Sequence, residues 1–250
     1  MPLKALARRF LPRRLVAAVG QHRIARRERT LGELPLAQAF DEVYRRGMWK
    51  QGRTASGTGS EGVLAERYVA FVRAYAAKYN LRSVLDGGTG DFSIGSQLAP
   101  SFERYTAIDV SPRIIKINWE RYSAAMYPNV RFMAADLTTS ALPTADLVLI
   151  RQVLQHLTNA QIEMILRNLE ASHWRRALIT EDVHDPVRNP VPNLDLPSHT
   201  VRTRTSLGSG VFLDKPPFRR AANRLAIIYA SKDGTEQPNG LLVLEMSRDG

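Results

Sequence analysis

One apolar stretch running into a glycine-rich turn restricts this chain more than any other feature. Ser83-Val84-Leu85 leads into Asp86, then Gly87-Gly88-Thr89-Gly90, then Asp91 and Phe92. Nineteen residues past Gly90, a second apolar run, Tyr105 to Ile108, ends on Asp109. Open parallel sheets hold nucleotide-like ligands in this way. The glycines let the backbone come close to the ligand, and the acid that ends the next strand accepts from ribose hydroxyls.

Downstream, strand-like and helix-like patterns alternate, which predicts an α/β fold. Strands are expected at 82–86, 104–109, 130–134, 145–150 and 175–181, and helices near 92–99, 112–126 and 159–171. Upstream, residues 34–50 place Leu36, Phe40, Val43 and Tyr44 on one helical face. A small-residue loop over 52–60 follows, then a helix from Glu61 to about Tyr79. Residues 182–220 are rich in Pro, Asn, Arg and Gly and read as irregular. Two last apolar runs, Leu225 to Ala230 and Leu241 to Met246, flank the turn signals Lys232-Asp233-Gly234 and Pro238-Asn239-Gly240. They predict an antiparallel hairpin closing a Rossmann-like, seven-stranded, mostly parallel sheet with helices on both faces. The expected organisation is a basic N-terminal extension over 1–33, a helical lid over 34–80 and a ligand-binding domain over 81–250.

Composition narrows the chemistry. The 250 residues contain no cysteine, which excludes disulfides, thiolate metal sites and cysteine nucleophiles and is compatible with a reducing cytoplasm. No apolar run approaches the roughly 20 residues that span a bilayer. Leu15 to Val19 is shorter than the roughly 7–15 residues of a secretory signal core. The net charge is +11, and residues 1–29 carry most of it, with nine basic groups against Glu28. This tail interleaves arginines with Leu3, Leu6, Phe10, Leu11, Leu15, Val16 and Val19, and Pro12 divides it into two short segments. It is either a solvated basic end or a segment that docks on an anionic membrane surface. Nucleic acid is disfavoured, because no aromatic residues are interleaved for base stacking.

Charge also selects the ligand. A pyrophosphate held in the glycine turn would lie beside Asp86 and Asp91 and be repelled. S-adenosylmethionine has no phosphate, and the same carboxylates attract its sulfonium and ammonium groups.

With Asp109, Ala135-Asp136-Leu137 after the third strand, Ala145 to Ile150 leading into Arg151-Gln152-Val153-Leu154-Gln155-His156-Leu157, and the terminal hairpin, residues 40–246 resemble class I S-adenosylmethionine-dependent methyltransferases. The resemblance implies S-adenosylmethionine as cofactor and a set of site residues. Asp86 would hold the ammonium, directly or through water, and Gly87, Gly88 and Gly90 would lie against the methionine part, with Asp91 in the same turn. Asp109, followed by Val110, would accept both ribose hydroxyls. Asp136 would take the adenine amino group, with Leu137 packed on the ring, and Arg151 joins the cofactor set. Trp49, Ser56, Gly57 and Ser60 would form a lid. His156, Asp182 and His184 are the candidate catalytic bases, and no metal is expected.

Each of these residues also has a plain structural reading. The turn can be a simple strand-to-helix connection. Asp109 can cap the helix that begins at Ser111-Pro112, and Asp136 can satisfy its own loop. His156 can be fixed by hydrogen bonds at a helix start. Glu181, Asp182, His184 and Asp185 can form a solvated loop.

Met48-Trp49, Ser56-Gly57-Thr58-Gly59-Ser60, Gly90-Asp91-Phe92, Gln155-His156-Leu157 and Lys215-Pro216-Pro217-Phe218 are together similar to a bacterial methyltransferase subgroup often found with genes for surface polysaccharides or other glycoconjugates. This narrower likeness implies a sugar or glycoconjugate hydroxyl as acceptor. It also implies a cytoplasmic protein whose basic tail can lie against the inner face of the membrane. Phe92 stands where many class members have a third glycine, and Gln152 stands where the subgroup often has an acid. Three other readings stay open: a methyltransferase for RNA or other nucleic acid, a non-catalytic partner subunit that binds the cofactor, and, last, an NAD-linked oxidoreductase. The nucleic-acid reading lacks an Asn/Asp-Pro-Pro-Tyr-like motif after Ile150.

Overall fold

The computed structural model describes residues 28–50, 52, 54–184, 191–230 and 239–248. The basic tail through residue 27, and Asp185, lie outside the described residues. The helices are α1 (Leu36–Arg46), α2 (Gly62–Lys78), α3 (Gly95–Leu98), α4 (Pro112–Arg121) and α5 (Asn159–Ala171). The strands are β1 (Ser83–Gly87), β2 (Arg104–Asp109), β3 (Val130–Ala134), β4 (Ala145–Arg151), β5 (Trp174–His184), β6 (Val191–Pro192), β7 (Ser209–Gly210), β8 (Asn223–Tyr229) and β9 (Asn239–Ser247).

Seven strands form one sheet in the order β3-β2-β1-β4-β5-β9-β8. β1 to β5 run parallel, while β9 is antiparallel to both β5 and β8. This is the predicted architecture with its terminal hairpin. Chain order reverses beside β1, which has β2 on one side and β4 on the other. Ligands of open α/β sheets bind at the carboxyl ends of the strands at such a point.

The central strands are apolar on both faces because helices cover both. Alternation along β4 sends Val148 and Ile150 into one core, with Ile162, Leu166 and Leu169 of α5. Leu147 and Leu149 enter the other, with Val72 and Tyr75 of α2. Each fully buried aliphatic side chain contributes about 1.5–3 kcal/mol. Local signals set the helix ends. Thr158 and Gln161 close a capping box on α5, and Ser111 caps α4 with Pro112 in its first turn.

The structure shortens several expected helices. α1 ends at Arg46 because Gly47 takes a left-handed cap, φ 58°. Phe92 is also left-handed, φ 60°, so the glycine turn runs on and α3 begins only at Gly95. α4 stops at Arg121, where Tyr122 turns to pack on Phe92, with ring centroids 5.0 Å apart. In the stretch expected to be irregular, β5 continues to His184, and β6 and β7 form a small parallel pair.

Candidate active site

The glycine turn is held by backbone geometry. Gly88 and Thr89 donate their N–H groups to the Ile108 carbonyl at 2.8 and 2.9 Å, binding the turn to the end of β2. Gly88 and Gly90 have φ of +78° and +59°, a region in which a side chain is strained. A Cβ would also collide with Val153 at position 88 and with Ser56 Oγ at position 90.

Two buried carboxylates flank the turn. Asp86 Oδ2 accepts from Thr89 Oγ1 at 2.6 Å and from the Tyr105 hydroxyl at 2.9 Å. Burial raises its pKa, and these hydroxyls and the Arg151 charge oppose the rise. Asp109 accepts from Ser111 N at 2.9 Å through Oδ1, and from Gly90 N at 3.0 Å and Tyr44 Oη at 3.4 Å through Oδ2. Burial pushes its carboxyl up to about 6 against those donors. An ionised carboxylate has about four acceptor positions, so both keep capacity for a ligand.

Two expected contacts fall elsewhere. Asp91 is not in the cavity wall. Its carboxylate accepts from Ala55 N at 2.6 Å, Ser56 Oγ at 3.1 Å and Ser93 N at 3.2 Å. It therefore ties the 54–60 loop to the glycine turn, and the carboxylates that face the cavity beside the turn are Asp86 and Asp109. Gly87 packs within the fold, where a Cβ would sit 3.0 Å from Leu137 Cδ1.

The ends of β4 and β5 form the opposite rim. Arg151 is half-buried over the Tyr68 ring, 4.9 Å from its centroid. It donates to the Gly59 carbonyl and, at 3.3 Å, to Ser60 Oγ. Gln152 is left-handed, φ 54°, and its Nε2 donates to Asp182 Oδ1 at 2.7 Å. Burial raises the pKa of Asp182, opposed by Gln152, Arg151 and Gln155. Glu181 points away from the cavity and accepts from the backbone N–H groups of Val153, Leu154 and Gln155 at 3.1, 2.8 and 3.1 Å. His156 is buried, and its Nδ1 lies 3.1 Å from the Arg202 carbonyl. That carbonyl can only accept, so Nδ1 carries the proton. Burial lowers the His156 pKa to about 4, so the ring is neutral at pH 7. His184 ends β5, paired with Asn239 of β9. Among the described residues, no group of three or more His, Asp and Glu is placed to hold a metal ion.

A cover made of three pieces closes over these two walls. α1 contributes Leu36, Phe40 and Tyr44 to the cavity lining, the loop contributes Ser56, Gly57, Gly59 and Ser60, and a distant segment contributes Val201 and Thr203. Asp41 of α1 accepts from Ser111 Oγ and from Arg113 N, docking α1 on the first turn of α4. Trp49 Nε1 donates to the Val201 carbonyl at 3.2 Å, and its ring lies 5.0 Å from that of His156.

Beneath the cover is a cavity of about 330 Å³. The wall unites Trp49, Ser56, Gly57, Ser60, Asp86, Gly88, Gly90, Asp109, Val110, Asp136, Leu137, Arg151, His156 and Asp182. Asp136 Oδ1 also caps its own turn, accepting from Thr138 N at 2.8 Å and Thr138 Oγ1 at 2.7 Å. Tyr44, Tyr68 and Gln155 also join the wall, although none of them was among the expected site residues. For Tyr44 and Tyr68 the available signal was a hydroxyl on an otherwise apolar helical face.

S-adenosylmethionine fits this donor set. Buried polar atoms without a protein partner include Tyr68 Oη, Arg151 Nε and Gln155 Oε1, all on wall residues. Such atoms cost about 1–3 kcal/mol each unless a ligand or water pairs with them. The carboxylates Asp86 and Asp109 suit an ammonium group and a ribose, and Arg151 offers a counter-charge for a carboxylate.

The fold is that of a class I methyltransferase, and residues 84–172 match the family described as a methyltransferase domain. The protein is an S-adenosylmethionine-dependent methyltransferase. Solved structures share the fold at low identity. One is the N-methyltransferase NodS from Bradyrhizobium japonicum WM9 in complex with S-adenosyl-L-homocysteine, with 16% identity and TM-score 0.56 over 83% of this chain and 99% of that one. Another is magnesium protoporphyrin IX methyltransferase from Synechocystis PCC 6803 with bound S-adenosylmethionine, with 17% identity and TM-score 0.54 over 86% and 95%. A third is the methyltransferase domain of bacterial CtHen1, with 18% identity and TM-score 0.52 over 72% and 98%. No curated protein matches this chain in sequence. Among the described residues, no helix is long and apolar enough to cross a membrane.

Proposed function

We propose that the enzyme methylates a hydroxyl of a sugar or glycoconjugate. The observation that carries this reading is the rim at the ends of β4 and β5, where Asp182, a carboxylate whose pKa burial raises, lines the same cavity as Trp49 and His156. An aliphatic hydroxyl is a weak nucleophile and gains from a positioned proton acceptor. Asp182 is assigned that role; the His156 ring is buried, with Nδ1 committed to the Arg202 carbonyl and its pKa lowered by burial to about 4. His156 instead backs the Trp49 ring, which offers the apolar face of a sugar a flat surface.

The cofactor supplies an already activated methyl group. Asp86 holds its ammonium, and Arg151 with Tyr68 holds its carboxylate. Asp109 accepts from the ribose, and Asp136 and Leu137 face the adenine. The cover excludes water, and alignment supplies most of the rate. In a turnover assay with methyl glycosides, S-adenosylhomocysteine should form and the release should stop in Asp182→Asn. Turnover on RNA with none on any glycoside would overturn the reading. The charge on residues 1–29 supports a further element, in which the enzyme works beside an anionic membrane surface.

A further inference from the structure

The described residues begin beside the cover of the cavity. Glu28 is ion-paired with Arg202 at 3.6 Å, and His199 Nε2 donates to the Leu31 carbonyl at 2.9 Å. Gly32 packs so closely that a Cβ there would lie 2.2 Å from Ser198 Oγ. Residues 28–32 are thus seated on the segment that supplies Val201 and Thr203 to the cavity lining. Immediately before them, residues 1–27 carry eight basic residues and no acid, interleaved with apolar ones.

The same segment carries an apolar surface. Eight large hydrophobic residues are exposed among the described residues, and three of them, Val191 at 47%, Leu194 at 43% and Leu207 at 37%, belong to one short module. Val191 of β6 lies opposite Ser209 of β7, Leu194 N donates to Ser209 Oγ at 3.0 Å, and Leu207 ends a short helical turn two residues before Ser209. All three are therefore rooted around one residue. None of them lines the cavity. Buried Arg204 fixes their place relative to it. Its Nη1 donates to the Leu194 carbonyl, and its Nη2 donates at 2.6 Å to the carbonyl of Leu157, a cavity-wall residue. Exposed apolar groups gathered in this way mark an interaction surface.

Charge identifies the occupant. The one acid within 191–209 is Asp195, and it is engaged by Asn159 N at 2.7 Å and Leu196 N at 2.8 Å. No free carboxylate in this module is available to neutralise the eight basic residues that precede Glu28. A second copy of the chain would bring two such tails together, and like charges repel. An anionic bilayer offers negative headgroups over an apolar layer, which answers both features at once. Stable membrane anchoring takes two signals, and a polybasic segment beside inserted apolar side chains supplies them.

We propose that Val191, Leu194 and Leu207 are the apolar half of a docking face for an anionic lipid bilayer, that residues 1–27 are its charged half, and that this face sets the 201–203 part of the cover against the headgroups. The inference rests on the membrane-side element of the reading above and names the surface that makes the contact.

The chain has no cysteine, so single substitutions place one environment-sensitive fluorophore at a chosen site. Labelled full chains carrying Leu194→Cys, Leu207→Cys or Met126→Cys are mixed with vesicles of equal parts phosphatidylglycerol and phosphatidylcholine, with and without brominated acyl chains. Met126 is the control, because it is 63% exposed and precedes β3, at the end of the parallel strands away from the cavity. The labels at 194 and 207 should shift to the blue and be quenched by bromine, and the label at 126 should do neither. Unlabelled Leu194→Ser/Leu207→Ser should bind these vesicles about tenfold more weakly than the native chain. Its remaining binding should weaken with salt, and deletion of residues 1–27 should remove that salt dependence. Unchanged S-adenosylhomocysteine affinity and thermal unfolding certify the fold, and Leu194→Gln/Leu207→Gln serves where the serine pair fails that check. Equal quenching at 126 and 194, or native vesicle affinity in a folded patch variant, overturns the docking face and leaves tail-driven membrane binding in place. A blue shift already present without vesicles overturns the lipid assignment: growth with protein concentration assigns the patch to a second copy, and loss on deleting residues 1–27 assigns it to the tail. Failure of the full chain to bind these vesicles overturns the membrane-side element and the face with it.

Discussion

The two walls of the cavity are built in opposite ways. On the glycine-turn side, the ligand-facing groups come from short contiguous segments. Asp86, Gly88 and Gly90 fall within five residues, and Asp109 ends the adjacent strand in direct register with β1. Their hydrogen bonds are almost all local or to neighbouring strands. On the acceptor side, Trp49, Gln152, His156, Asp182, Val201 and Thr203 converge from four separate stretches. They are joined by long-range contacts such as Trp49 to the Val201 carbonyl and Gln152 to Asp182. One wall is fixed by the parallel sheet itself, while the other depends on loops packing on loops. On the proposed reading, the cofactor side belongs to the scaffold and the specificity side to its connections.

Substitutions can break that contrast at several strengths. The largest effect is expected for Asp109→Ala, which removes the ribose acceptor and the anchor of Gly90 N and Tyr44 Oη. Two lost charge-assisted hydrogen bonds, at about 1.5–3 kcal/mol each, should weaken S-adenosylhomocysteine binding about 100-fold or more. The thermal shift on adding the ligand should vanish with it. NAD should give no shift in either protein. Next comes Gly90→Ala. Its left-handed backbone and the contact with Ser56 should cost about 1–2 kcal/mol of stability and about tenfold in ligand affinity, read by melting and by calorimetry.

Asp91→Ala sharpens the comparison because it severs the 54–60 loop from the glycine turn without removing a side chain that lines the cavity. Losing the hydrogen bonds at about 1 kcal/mol each should speed S-adenosylhomocysteine dissociation several-fold, measurable by stopped flow. The pH dependence is milder. Asp109 has its carboxyl raised from 3.8 to about 6, so it protonates as pH falls through about 6 and loses acceptor capacity. Ligand affinity should decline below that point. The sign for stability is the reverse: between about 6 and 3.8 the folded state binds the proton more readily than the unfolded chain, so this residue's contribution to stability rises as pH falls. The smallest effect is expected outside both walls. Deleting residues 1–27 should reduce sedimentation with anionic vesicles and leave turnover on a soluble acceptor unchanged.

The sequence revealed one wall better than the other for the same physical reason. A glycine turn and a strand-end acid are local signals, so β1, β2 and the position of Asp109 could be read directly. Orientation could not be read. Asp86 and Asp91 bracket the same glycines, yet only Asp86 faces the cavity, because the left-handed Phe92 swings the chain and leaves Asp91 to hold Ala55 and Ser56. Likewise Glu181 and Asp182 are adjacent on a strand, so their side chains point to opposite faces. One staples the turn after β4 and the other lines the cavity. Gln155 looked like part of a motif, and its unpaired oxygen emerges only once β4, β5 and the cover are packed together.

The division between the walls is tested most directly by titrating S-adenosylhomocysteine into Asp109→Asn and Asp182→Asn alongside the native protein, and then assaying turnover of both. The cofactor wall and the acceptor wall should separate: Asp109→Asn loses ligand affinity, whereas Asp182→Asn binds within about threefold of native, a difference under about 0.7 kcal/mol, and does not turn over. If Asp182→Asn loses ligand affinity as severely as Asp109→Asn, or retains full turnover, the two-wall account is wrong.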